Sequence, residues 1–265
     1  MFSKLFKKAA ASPARDEPNG SVPPGQRLYA IGDIHGRLDL LDSLLTRIEA
    51  DDRTRGASQT TLLFLGDLID RGPDSAQVVE RLIEVKERYP ETRFLLGNHE
   101  EVFLQALRGG ANGSVGALRY FLRIGGDATV LSYGVSDSEF RDSTFEELFD
   151  LVRDKVPQRH LDFLESFEDM IVIGDYAFVH AGVRPELPLA RQKISDLRWI
   201  RDDFLTYRGP LEKIVVHGHS IANDVELRPN RIGLDTGAFA SGVLTAMGFE
   251  GSERWLIQTN GLMPA

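Results

Sequence analysis

Five times along this 265-residue chain an apolar run stops abruptly at acidic, amide or imidazole residues. The runs are residues 28–36 (LYAIGDIHG), 62–72 (LLFLGDLIDRG), 94–100 (FLLGNHE), 176–182 (YAFVHAG) and 214–220 (IVVHGHS). Each predicts a buried strand of about five residues, with metal-ligand side chains at its carboxyl end and a glycine where the chain turns. After the first two strands, Leu38, Leu41, Leu44, Leu45 and Ile48, then Val78, Val79, Leu82, Ile83 and Val85, recur at helical spacing. They predict strand, helix, strand, helix over residues 27–90, with these apolar faces turned to the core. A helix through Val102, Phe103 and Leu107 is expected next, stopping at Gly109 and Gly110. Residues 111–168 hold no metal-type cluster and predict helices and loops, either a lid or side wall over a substrate or plain structural packing. From Met170 onward strands dominate: MIVIGD and YAFVHAG as a hairpin across Gly174 and Asp175, then KIVVHG, RIGLDTG, GVLTAMGF and RWLIQT. The whole predicts an α/β fold of two packed sheets flanked by helices.

At this length, with 42% hydrophobic residues, one large core can be buried, and length alone fits one domain as well as two. Ligand-type residues run from Asp33 to His219, so division would split the site, and a single catalytic domain over residues 27–259 is expected. Residues 1–26, rich in Pro, Gly, Ser and Ala, predict a mobile tail, and residues 260–265 a second, short one. Phe2, Leu5 and Phe6 beside Lys4, Lys7 and Lys8 could touch an anionic membrane, but one or two turns are too short for firm binding. A formal charge of −9 argues against a nucleic-acid backbone binder. The absence of cysteine removes disulfides and thiolate nucleophiles. With neither a long apolar stretch nor a secretory pattern, the cytoplasm is the expected location.

Five of the six histidines, His35, His99, His180, His217 and His219, stand at the ends of apolar runs; His160 lies in a polar helical pattern and reads as a surface residue. Asp33 and His35 are one residue apart, so on an extended strand they share a face and can chelate one ion. Asp67 ends the next strand, where its carboxylate can bridge two ions. Asn98, His180 and one histidine of HGHS can complete the second. Carboxylate, amide and imidazole donors suit divalent Mn, Fe, Zn, Co or Ni. Two such ions can hold a bridging water as hydroxide and clamp the attacking and leaving oxygens of an in-line displacement, which implies phosphoester hydrolysis. Arg71 could fork onto phosphate oxygens or form a surface ion pair. His99 could protonate a leaving alkoxide if Asp70 holds its imidazolium.

These segments, standing as GDIHG, GDLIDRG, GNHE and HAG, closely resemble the phosphoprotein phosphatase family of metallophosphoesterases over residues 27–259. The resemblance implies a four-layer sandwich of two mixed sheets between helices, and two divalent ions, manganese foremost. By it, Asp33, His35 and Asp67 would bind the first ion and Asp67, Asn98, His180 and His219 the second. Arg71, and Arg201 in LRWIRDDF, would bind phosphate, and His99 with Asp70 would form the acid pair. His219 is chosen because the family's ligand follows glycine in a GH pair; His217, two residues back on the same strand face, is left as a supporting group or a plain strand residue. The symmetrical dinucleoside tetraphosphate hydrolases are similar too, including a DTG near the end, here Asp235 to Gly237. Asp70 before Arg71, and Glu100 in GNHE, resemble the protein phosphatases instead. The expected substrate is therefore a phosphoprotein carrying phosphoserine, phosphothreonine or phosphotyrosine, or a phosphorylated small molecule, with the tetraphosphate hydrolase as the alternative. A non-catalytic scaffold is disfavoured because no ligand of the pattern is missing.

Overall fold

The computed structural model describes residues 19–108 and 114–259. In chain order the elements are β1 (Gln26–Ile31), α1 (Leu38–Thr54), β2 (Gln59–Phe64), α2 (Ser75–Arg88), β3 (Arg93–Phe94) and α3 (Asn98–Arg108). Then come α4 (Ser114–Phe121), α5 (Asp127–Ser132), α6 (Asp137–Asp142), α7 (Phe145–Lys155) and α8 (Gln158–Glu165). The second half holds β4 (Met170–Ile173), β5 (Tyr176–Val179), α9 (Ile194–Trp199), α10 (Asp202–Leu205), β6 (Ile214–His217), β7 (Glu226–Arg228), β8 (Arg231–Gly233), α11 (Ala238–Ser241), β9 (Thr245–Glu250) and β10 (Glu253–Gln258).

Among the described residues the strands form two mixed five-stranded sheets, ordered β10-β9-β1-β2-β3 and β4-β5-β6-β8-β7. In the first, β1, β2 and β3 run parallel; in the second, β5, β6 and β8 do. The predicted hairpin is present as antiparallel β4 and β5.

The apolar runs are continuous rather than alternating because the central strands are covered on both faces. On β1, Leu28 and Ala30 face the other sheet, packing in one cluster with Leu63 and Leu65 and with Phe178, Val216 and Ile232. Tyr29 and Ile31 point the opposite way, into the cluster that holds Leu41, Leu44, Val78 and Leu82 from α1 and α2. Ala177, Val179 and Val215 close the far side against Leu197 and Phe204. The order is therefore helices, sheet, sheet, helices, the predicted architecture. No helix among the described residues is long and apolar enough to cross a membrane.

Some expectations need correction. Strand β3 has two residues, not five, because beyond Phe94 the chain leaves β2 for an isolated bridge between Leu95 and Glu168 before α3 begins; β7, whose pattern is polar and exposed, was not predicted. Residues 19–25 are not tail: Val22 is buried, its N–H donates to the Gly251 carbonyl, and Ser21 and Asp175 bond each other. The rest of the N-terminal segment, the C-terminal segment from residue 260 and the helix stop at Gly109 and Gly110 lie outside the described residues. His160 is not a surface residue. It is buried between Tyr133 and Glu80, bonded to both at 3.0 and 2.9 Å.

Candidate active site

The carboxyl ends of parallel strands from both sheets meet at one place, and the predicted polar residues gather there. Two groups of ligand atoms lie close enough to hold a metal ion: His35, Asp67 and His99, and Asp67, His180 and His219, each set within 4.8 Å of one another. Asp67 belongs to both. His180 Nε2 is 3.3 Å from Asp67 Oδ1 and 3.0 Å from Asn98 Oδ1. The N–H of His99, in the first turn of α3, donates to Asp67 Oδ1 at 3.1 Å, which places the positive end of the helix against a buried anion.

The imidazoles are aimed by carbonyl groups. Nδ1–H of His35 donates to Ile69 O at 2.7 Å, and that of His180 to Leu65 O at 2.8 Å, so each ring turns its Nε2 toward the site. Burial keeps His35 and His219 neutral, with pKa values near 3 and 2. Arg201, exposed at the start of α10, adds to the depression of His219 by its charge. Burial would raise Asp67, but His180 and His99 outweigh it and hold its carboxyl well below the ordinary range.

Asp33 joins the same cluster, but not on one extended strand face with His35. Strand β1 ends at Ile31 and His35 has φ 47°, so the extended geometry that would set the two on one face is lost. Instead Asp33 Oδ2 accepts the His219 N–H at 2.9 Å, while its Oδ1 is buried without a partner, as is His219 Nε2. Burial, then Asp235 and Asp67, push the Asp33 carboxyl well up. A buried cluster of carboxylates, unpartnered donor atoms and neutral imidazoles fits a set of divalent cations. Asp235 was missed as a site residue, although its DTG segment was noticed.

His217 does not share a direction with His219. Its ring packs edge-on against Phe204 at 5.1 Å and its Nδ1–H donates to Gly218 O, whereas His219 faces His180 at 5.0 Å. Gly97 and Gly218 allow the close approach: a Cβ would stand 2.2 Å from Asp67 Oδ1 at the first and 2.0 Å from Asp33 Oδ1 at the second.

His99 Nδ1 and Asp70 Oδ2 are 2.6 Å apart. Burial opposes the imidazolium, but the charge of Asp67 and the bond to Asp70 raise the His99 pKa above its ordinary value. The Arg71 guanidinium spans His35 Nε2 at 3.0 Å and His99 Nε2 at 3.2 Å, with the Phe239 ring centroid 4.8 Å away. Among the described residues, the non-glycine residues with left-handed backbone are His35, Asp67, Asp70, Arg71 and His219, all in this cluster. Such strain gathers at functional sites.

Glu100 is fully buried and accepts the N–H groups of Asp67, Leu68, Ile69 and Gly97 at 2.8–3.3 Å. It therefore fixes the loop that carries Asp67. Glu100→Ala leaves those donors without an acceptor and is expected to lower stability by about 3 kcal/mol or more, read as a lower urea midpoint.

Residues 26–261 match the family described as calcineurin-like phosphoesterase. Serine/threonine-protein phosphatase 2 of Escherichia coli (strain K12) is 29% identical, the match covering 83% of this chain and 91% of that protein. The symmetrical bis(5'-nucleosyl)-tetraphosphatase of Acidovorax ebreus (strain TPSY) is also 29% identical, over 71% of this chain, which spans only 51% of that protein's length. Among solved structures, that of a candidate diadenosine tetraphosphatase superposes with a TM-score of 0.61 at 21% identity, covering 92% of this chain and 99% of that one.

Proposed function

Because this chain belongs to the calcineurin-like phosphoesterases, we propose that it is a metal-dependent phosphomonoesterase acting on phosphoserine, phosphothreonine and phosphotyrosine in proteins. The observation that carries this reading is the 2.6 Å Asp70–His99 pair with Arg71 beside it. A phosphoserine or phosphothreonine ester leaves as an alkoxide that needs a proton, and a carboxylate-held imidazolium is a group suited to give one.

In this reading Asp33, His35 and Asp67 hold one divalent ion and Asp67, Asn98, His180 and His219 the second, manganese being the first choice for both. When bound, the pair supplies an activated water and positive charge for the phosphoryl oxygens. The chain's own residues do the rest. Arg71 and Arg201 bind the phosphate oxygens, and Arg71 does so where its guanidinium lies against the His99 ring. With Arg71 drawn from His99 Nε2, 3.2 Å away here, onto the phosphate, Nε2 carries the proton and releases it to the leaving oxygen. Asp70 holds Nδ1–H, so the proton that moves is the one on Nε2. Asp70→Asn removes a bond and a charge that raise His99. The alkaline limb of kcat against pH is therefore expected to move to lower pH, as a pH–rate profile on a phosphoserine peptide would record.

The protein-phosphatase relative matches over nearly its whole length, which supports this reading. The tetraphosphatase relatives support a second, hydrolysis of a dinucleoside polyphosphate: the match spans about half of the symmetrical relative, but 88% and 92% of two asymmetrical tetraphosphatases. Manganese-supplemented hydrolysis of phosphoserine and phosphothreonine peptides beside diadenosine tetraphosphate tests both. Turnover of the peptides supports the first reading; preference for the dinucleotide replaces it with the second.

A further inference from the structure

We propose that Thr129, on α5, is a positioning residue for the Asp70–His99 pair and that the short stretch from Gly125 to Thr129 sets the geometry of the whole Asp70–Arg71 turn. The inference rests on the reading of His99 as the proton donor.

Asp70 poses a physical problem. It is fully buried and left-handed at φ 74°, and its side chain pairs with no Lys or Arg among the described residues. Burial pushes its carboxyl up, against the bond to His99. A free carboxylate rotates about its terminal torsion, which is broad, so His99 alone would not define its plane. Thr129 supplies the missing constraint. Its hydroxyl, completely buried, donates to Asp70 Oδ1 at 2.6 Å, leaving Oδ2 for His99. The same oxygen accepts the Asp70 N–H at 2.9 Å, so one side chain fixes both the backbone and the carboxylate of Asp70. With its only proton given to Asp70, Thr129 accepts in turn from the Ser75 hydroxyl 2.9 Å away. Ser75 also accepts the Asp70 N–H at 3.0 Å. The result is a closed ring of Ser75, Thr129 and Asp70, tied to His99 at one corner. Threonine suits the position because its branched Cβ restricts χ1 and keeps the hydroxyl aimed.

Gly125 extends the brace to the next residue. Its carbonyl accepts the Arg71 N–H at 2.9 Å, and at φ 109° it interrupts the helix between α4 and α5. A Cβ there would stand 2.8 Å from Arg71 Cγ. The stretch that held no chemistry in the sequence thus grips both residues of the turn from behind.

Removing the Thr129 hydroxyl is expected to damage only what depends on the aim of His99. The test compares the Mn-loaded enzyme on a phosphoserine peptide, whose alkoxide needs a proton, and on p-nitrophenyl phosphate, whose phenolate leaves without one. The variants are Thr129→Val, the smaller Thr129→Ala in case the second methyl disturbs packing, Thr129→Ser and His99→Asn, each checked for metal content and melting temperature. Thr129→Val or Thr129→Ala is expected to lower kcat on the peptide by about tenfold, a fraction of what a general acid contributes, with a loss under about threefold on the aryl ester. Thr129→Ser, which keeps the hydroxyl, is expected within about twofold of the wild type on both. Equal losses on the two substrates, or a Ser variant as impaired as the Val and Ala variants, would overturn the role of the hydroxyl. If those variants behave as expected of packing alone while His99→Asn still falls selectively on the peptide, the inference fails and the function stands. If His99→Asn shows no such selectivity, the reading of His99 fails and takes the inference with it.

Discussion

Asp67→Asn is expected to reduce phosphopeptide turnover by more than about 1000-fold, the rate equivalent of losing several kcal/mol of transition-state charge stabilisation. Metal analysis of the purified variant is expected to find fewer ions per chain than in the wild type. The reason is geometric: Asp67 lies in both groups of potential ligand atoms, within 3.3 Å of His180 and 3.7 Å of His35. No other side chain of the cluster is common to both. The substitution keeps the shape and removes the charge, so it separates electrostatics from packing. Its fold is expected to persist, because Asp67 is among the charges that push Asp33 and Glu100 up and its removal relieves that repulsion. An Asp67→Asn variant with full metal content and near-wild-type rates would remove the bridging role.

The second large effect has a different signature. His99→Asn is expected to lower kcat on phosphoserine peptides by roughly 100- to 10,000-fold, the range of general acid catalysis, while leaving metal content near that of the wild type. His99 Nε2 does lie 3.8 Å from Asp67 Oδ2, in one group with His35, but the imidazole is bound at Nδ1 by Asp70, and the His99 N–H that donates to Asp67 belongs to the backbone, which the substitution preserves. Loss of metal in step with loss of activity would assign His99 to metal binding instead. Side-by-side kinetics and metal analysis separate the two.

The arrangement of the two sheets was legible because the signals were local. Apolar runs covered on both faces, each ending in ligands and glycine, announce parallel strands whose carboxyl ends converge. What the structure changes are geometric arguments that carried one local conformation past its end. Asp33 and His35 alternate only while the chain is extended, and the left-handed backbone at His35 ends that alternation. His217 shares a face with His219 only on a continuing strand, and the left-handed backbone at His219 separates them. His160 was hidden by its polar neighbours Gln158 and Arg159, although Leu161 and Leu164 turn the same helix into the core. Thr129, Gly125 and Asp235 left weaker traces. A threonine in a helical pattern and a glycine between helices look like ordinary packing, and their meaning arises only when α5 is laid against the Asp70 turn.

The five left-handed residues of the cluster carry one more consequence. Each costs about 1–3 kcal/mol relative to a relaxed backbone, so together they approach the whole net stability of an ordinary domain. Glycine would remove the strain at any of these positions while deleting a functional side chain. A lineage released from selection for this chemistry would thus gain thermal resistance by discarding the residues that perform it, and decay would begin in the site while the surrounding sheets stayed intact. The five residues together set the chemistry of the site against the stability of the chain that carries it.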